Sequence, residues 1–96
     1  SVRLIEAFQK EFGKEIELVL QETALYLLVT VKNGMDSQAL VDAALEQGVK
    51  VMPEKLEKDS FGQVKVGFAG ISTQDIPEAV SLLRKAWKRG SPRNVE

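Results

Sequence analysis

Apolar side chains near the start of the chain fall at Leu4, Ile5, Phe8 and Phe12, a spacing of i, i+1, i+4 and i+8 that draws one stripe along a helix. Gly13 follows the last of them, where a helix stops. The period then changes. Ile16, Leu18 and Leu20 alternate with Glu17 and Val19, which predicts a strand. Gln21-Glu22-Thr23 interrupts it, and Leu25, Leu27, Val29 and Val31 alternate with Tyr26, Leu28, Thr30 and Lys32 in a second, longer strand. So short a break predicts an antiparallel hairpin.

Asn33-Gly34 supplies turn chemistry, and Asp36 stands where a helix N-cap belongs. Leu40, Val41, Ala44 and Leu45 form the apolar face of a second helix that stops at Gly48. Val49 to Met52 reads as a short strand ended by Pro53, which cannot donate to a sheet ladder. Glu54 to Gly62 is polar, with charges of both signs, and reads as a loop. Val64, Val66 and Phe68 alternate with Lys65 and Gly67 in a fourth strand. Ser72 and Asp75 have the spacing of a capping box, with aspartate in the place usually taken by Glu or Gln. Ile76, Val80, Leu83 and Trp87 mark a final amphipathic helix, ended by Gly90-Ser91-Pro92.

The element order is therefore αββαββα, without internal repeat or low-complexity segment. It predicts an α+β, two-layer domain with a mixed, mostly antiparallel sheet and helices on one face. One domain spans residues 1–90, followed by a frayed tail at 91–96. With positions 16, 18, 25, 27, 29, 31, 49, 51, 64 and 66 toward the helices, the other face carries Glu17, Val19, Tyr26, Leu28, Thr30, Lys50, Met52, Lys65 and Gly67. That mixture is too apolar for a simply solvated face, and predicts a surface covered by another domain.

Composition narrows the chemistry. The 96 residues carry 13 basic and 14 acidic side chains, net −1, with 44% hydrophobic residues, no cysteine and no histidine. Disulfides, Cys–His pairs, Ser–His–Asp triads and histidine bases are excluded within the chain, and Cys/His zinc sites with them. The balanced charge argues against nucleic-acid binding by this segment. The longest strongly apolar stretch, Ala24 to Val31, is far short of the ~20 residues of a membrane helix. There is no signal-peptide pattern, and a start at Ser1 inside a helical stripe reads as a fragment.

Few side chains invite a functional reading. Gly67-Phe68-Ala69-Gly70-Ile71-Ser72 leads into a helix N-terminus but lacks the Gly-Lys-Ser/Thr ending of a phosphate loop, so a capped strand-to-helix turn accounts for it. Arg84, Lys85, Lys88 and Arg89 complement the dipole at the end of the last helix. Glu54 to Asp59 reads as a solvated run. Glu15, Glu17, Asp42 and Glu46 show no pairing suited to acid–base work. Lys65 lies mid-strand among apolar neighbours, either snorkelling to the sheet edge or contacting a carboxylate or phosphate. No motif amounts to an active site.

Taken together, Leu25–Val31, the run Leu40-Val41-Asp42-Ala43-Ala44-Leu45-Glu46-Gln47-Gly48-Val49-Lys50-Val51-Met52-Pro53, and Val64–Ser72 through Ile76 to Trp87 resemble a known unit. They are similar to the C-terminal small domain of fold-type I, pyridoxal-phosphate-dependent class I/II aminotransferases, with the Arg3–Phe12 helix resembling the helix that enters it. Within that superfamily the Val-Gly-Phe-Ala-Gly-Ile-Ser string looks like that of the MocR-type regulators of the GntR family. Those join a winged-helix DNA-binding domain to an aminotransferase-like effector domain.

The resemblance implies that Lys65 stands where catalytic aminotransferases carry an arginine for the substrate carboxylate. Lysine keeps the charge and loses the planar fork, which favours a regulator over an enzyme. It further implies a missing large domain that binds pyridoxal 5'-phosphate and packs on the non-helix sheet face. No residue of this chain is assigned to the cofactor. The parent would be a cytoplasmic homodimer touching DNA only through a separate N-terminal domain, with no membrane contact. Two alternatives remain open, the C-terminal domain of a genuine aminotransferase and a free-standing domain that binds a partner through the mixed sheet face.

Overall fold

A computed structural model describes residues 2–21, 23–53, 62–67 and 72–88. Three helices and four strands follow in the predicted order: α1 (Val2–Phe12), β1 (Ile16–Gln21), β2 (Tyr26–Val31), α2 (Ser37–Glu46), β3 (Met52–Pro53), β4 (Gln63–Gly67) and α3 (Ile76–Ala86). The strands line up as β1-β2-β4-β3, each hydrogen-bonded to its neighbours antiparallel. β2 and β3 consequently run parallel to each other, with β4 inserted between them. The sheet is therefore antiparallel at every described pairing rather than mixed, because β4 comes between the two strands that run the same way.

Leu4, Phe8 and Phe12 of α1, Leu40 and Ala44 of α2, and Ile76, Val80 and Leu83 of α3 are all buried. They meet Ile16, Leu27, Val29, Val31, Val64 and Val66 from one face of the sheet in a single core. The alternation of period two on the strands and the stripes on the helices therefore point at one another.

Trp87, just past α3, ties the layer together. Its side chain is 1% exposed. The indole Nε1 donates to the Leu40 carbonyl of α2 at 2.9 Å, and its ring lies 6.0 Å from that of Phe12 in α1. The Trp87 carbonyl accepts from Asn33 Nδ2 at 2.7 Å, while Asn33 Oδ1 accepts from the Met35 amide at 3.0 Å. The Asn33 turn residue thus also caps the end of α3.

Several local expectations change. Leu25 lies in the hairpin turn rather than in β2, at φ 60° and 53% exposed. Closing Gln21 against Tyr26 requires that reversal of φ, which Leu adopts under strain. Val49 is not in a strand because its amide donates to the Ala44 carbonyl at 2.9 Å. With Gly48 at φ 82° donating to Leu45, this is a Schellman cap, and the strand starts only at Met52. Pro53 sits inside β3, tolerated because β3 is an edge.

The Asp36 cap forms as expected, accepting from the Ala39 amide at 2.9 Å. The Ser72 capping box does not. The Asp75 amide donates to the Ser72 main-chain carbonyl, closing a 3-10 turn, and Pro77 occupies the first turn of α3. Phe68, the 54–61 loop, the Gly90-Ser91-Pro92 stop and the 91–96 tail lie outside the described residues.

Gly62 enters β4 at φ 77°, its carbonyl accepting from the Val31 amide at 2.8 Å. A Cβ there would stand 2.8 Å from the Val31 carbonyl oxygen. Gly62→Ala is therefore expected to cost about 1–3 kcal/mol, read by urea denaturation; a neutral result would refute the close approach. Trp87→Ala should cost about 3–5 kcal/mol by the same measurement. Trp87→Phe, which keeps most of the volume but removes the indole bond to the Leu40 carbonyl, should cost about 0.5–2 kcal/mol.

Candidate functional site

The sheet surface turned away from the helices follows from register. Val19 stands opposite Leu28, Leu28 opposite Lys65, and Lys65 opposite Met52, one row crossing all four strands. A second row joins Glu17, Thr30 and Gln63, and a third joins Gln21, Tyr26 and Gly67. Val19 and Met52 are 49% and 53% exposed, while Tyr26, Leu28 and Lys65 are half-buried.

Lys65 is the one cationic residue within the described strands. Its side chain leans diagonally to the neighbouring strand, where Nζ lies 5.2 Å from the centroid of the Tyr26 ring. A cation over an aromatic face at this exposure contributes about 0.5–1 kcal/mol and, more usefully, confines a flexible side chain. The alternation that places Lys65 here also places the ring beside it, because Tyr26 and Lys65 share a face on adjacent strands. Other polar groups of this face are joined to one another or to the helix layer. Gln63 Nε2 donates to Thr30 Oγ1 at 3.2 Å, Ser37 Oγ donates to the Gln63 carbonyl at 2.6 Å, and Lys32 pairs with Glu17 at 3.0 Å.

Other sequence candidates are placed elsewhere. Arg84 pairs with Glu15 at 2.6 Å and stacks its guanidinium 5.4 Å from the Phe12 ring, so it joins α3 to α1. Asp42 accepts from Gln38 one helical turn earlier. The segment 68–71, the centre of the glycine-containing turn, and Arg89 lie outside the described residues. Among the described residues no cluster of acidic side chains is arranged to hold a metal ion, and no helix is long and apolar enough to cross a membrane. A surface depression of ≈ 300 Å³ lies between α3 and the α2–β3 connection, lined by Val49, Lys50, Asp75, Glu78 and Leu82 among others; Lys65 and Tyr26 take no part in it.

A structure search places this architecture. The α-aminoadipate aminotransferase LysN of Thermus thermophilus, complexed with N-(5'-phosphopyridoxyl)-L-leucine, superposes with a TM-score of 0.75 at 19% identity. The match covers 88% of this chain and 23% of that one. The kynurenine aminotransferase of Pyrococcus horikoshii matches with the same TM-score and identity, over 88% of this chain and 22% of its own. The fold is that of the aminotransferase small domain.

In sequence the small domain is nearer to another group. It is 32% identical over 88 residues to the HTH-type transcriptional regulator YdeL of Bacillus subtilis (strain 168), and 29% over 87 residues to YhdI of the same organism. Each match takes in 88% of this chain but 19% of the regulator, so the chain spans about a fifth of these relatives' length. No family model matches.

A phosphorylated pyridine cofactor requires several donors around a phosphate and a partner for a ring nitrogen, whereas the described strands offer the single ammonium of Lys65. What the surface can do is present one positive charge, held against an aromatic ring, to a molecule arriving from the side opposite the helices.

Sequence reasoning placed Lys65 on the face away from the helices and did not place the Tyr26 ring beside it. Tyr26 was legible as a residue of that face, but its meeting with Lys65 depends on β4 inserting beside β2, and no turn connects those strands. Because the Lys65 head group lies outside the helix–sheet core, Lys65→Ala should lower stability by less than about 1 kcal/mol in chemical denaturation. A loss above about 2 kcal/mol would make it a structural residue.

Proposed function

We propose that this chain is the small lobe of an aminotransferase-like effector domain in a transcriptional regulator of the GntR family, MocR type. The observation that carries this reading is the contrast between the two likenesses. Each match covers 88% of the chain, and the HTH-type regulators share 29–32% of residues where the aminotransferases share 19%. The lysine at position 65 supports it. An enzyme that must orient a substrate carboxylate through repeated turnovers profits from the two-pronged guanidinium, whereas a sensor that only binds can use a point charge.

In this reading the parent is a cytoplasmic homodimer with a winged-helix domain for DNA and a large domain for pyridoxal 5'-phosphate. The cofactor, when bound there, supplies the electrophile that recognises an amino group. The small lobe contributes the other half of recognition. Lys65 attracts the carboxylate of an amino-acid ligand, and the Val19–Leu28–Met52 row gives the sheet an apolar surface to lay against the large domain. Ligand bridging the two lobes then favours a closed arrangement, and a difference in affinity between open and closed forms is what reaches the DNA-binding part.

The test uses the longer parent protein. It should bind an operator sequence, respond to cofactor and an amino acid together by at least about a fivefold change in DNA affinity, and show negligible amino-group transfer. Steady-state transfer between amino and keto acids at the ordinary enzyme rate of roughly 1–10³ s⁻¹, without DNA binding, would overturn the regulator and establish the aminotransferase.

A further inference from the structure

The one Asn-Gly pair of the sequence, Asn33-Gly34, lies in the connection from β2 to α2. In such a pair the main-chain nitrogen of glycine can attack the asparagine side-chain carbon, because glycine has no Cβ to crowd the approach. Here the amide is held at both ends. Asn33 Oδ1 accepts from the Met35 amide at 3.0 Å, and Nδ2 donates to the Trp87 carbonyl at 2.7 Å. Nδ2 also reaches Met35 Sδ at 3.3 Å. Asn33 is half-buried, whereas Gly34 beside it is exposed, at φ 86°. Solvent therefore reaches the attacking residue, and hydrogen bonding restrains the group that would be attacked. The Trp87 carbonyl also ends α3, where partial negative charge collects, so a neutral donor suits the position and a carboxylate does not.

We propose that Asn33-Gly34 is a spontaneous modification site, closed in the folded chain and released when the β2–α2 connection opens, whose product cannot restore the tie to α3. In the open form the Gly34 nitrogen bonds to Asn33 Cγ. The side-chain nitrogen leaves as ammonia and carries off the proton that Gly34 gives up. Water then adds to the succinimide ring and breaks one of its two C–N bonds, which yields aspartate or isoaspartate. Nothing is oxidised or reduced, and water is the co-reactant. Either product exchanges the amide donor for a carboxylate. An oxygen then faces the Trp87 carbonyl where Nδ2 had donated, at the negative end of α3, and both effects oppose closing. Isoaspartate also reroutes the main chain through the former side chain, which disturbs the turn that places Met35. An opening that is reversible for the hydrogen bonds thus becomes permanent in any molecule that reacts while open.

The experiment incubates the full chain at mildly alkaline pH, in buffer and in denaturing urea, and follows position 33 by mass spectrometric peptide mapping. Asn33 should deamidate in urea and at least about tenfold more slowly in buffer, since only the opened fraction reacts. That fraction also sets hydrogen exchange of the Met35 amide, which donates to Asn33 Oδ1, so the two protection factors should agree within about threefold. Gly34→Ala should slow the reaction in urea by about tenfold or more. Asn33→Asp, which reproduces one product, should lower the urea midpoint by roughly 0.3–1 M. Equal rates in buffer and urea, or a Met35 amide far better protected than Asn33, would mean reaction from the closed form and overturn the gating. These rates are read on the unaltered chain and stand even where a variant fails to fold. An Asn33→Asp midpoint at or above that of the unaltered chain would overturn the one-way character. No deamidation of Asn33 in urea, or an undiminished rate in Gly34→Ala, would overturn the site itself.

Discussion

The arrangement of the helix layer depends on one side chain. Trp87 lies beyond the last turn of α3, yet its ring packs near Phe12 of α1 and its Nε1 donates to a carbonyl of α2. A single buried indole therefore registers three helices, using an apolar face for one and a directional bond for another. Asn33 completes the arrangement by capping the same residue from the β2–α2 connection. Helices that share only apolar contacts can slide along a sheet at small cost, because dispersion is not directional. A buried hydrogen bond has a preferred direction and distance, and sliding would break it.

With the helices on one face, the other face of the sheet lies outside the core. That face is neither a core nor a solvated surface. Its apolar residues run in one row, and polar groups beside them are joined in pairs, such as Gln63 with Thr30 and Lys32 with Glu17. Lys65 stands in the apolar row itself, where an ammonium is tolerated because the Tyr26 ring meets it. The rigidity of one layer and the chemistry of the other are linked through β4. Its Val64 and Val66 are buried in the core, while Lys65 and Gly67 between and beyond them turn outward.

The two likenesses answer different questions. Agreement with aminotransferase small domains at 19% identity speaks for the backbone arrangement, which many sequences can adopt while patterning and volume are kept. The likeness to HTH-type regulators, at 29–32% identity, speaks for kinship in sequence. A scaffold suited to closing over a reacting substrate serves equally well to close over a ligand that is only sensed. The requirement for closure is a difference in binding energy between two states, and it is the same in both cases.

Residue pattern alone determined the element order, the core stripes from Leu4 to Trp87, the Asp36 cap and the face on which Lys65 lies. These follow from periods of 3.6 and 2, which are local properties of a chain. The same locality explains the misplacements. Leu25 alternates correctly with its neighbours, but the hairpin closes one residue later than alternation suggests; Val49 looks like a strand residue, but its amide is taken by the Schellman cap of α2. Only the tertiary structure decided that β4 lies between β2 and β3, because that insertion is set by which strands bury their apolar faces together and no turn encodes it. With it came the meeting of Tyr26 and Lys65, a contact between segments about 40 residues apart that local periodicity cannot specify.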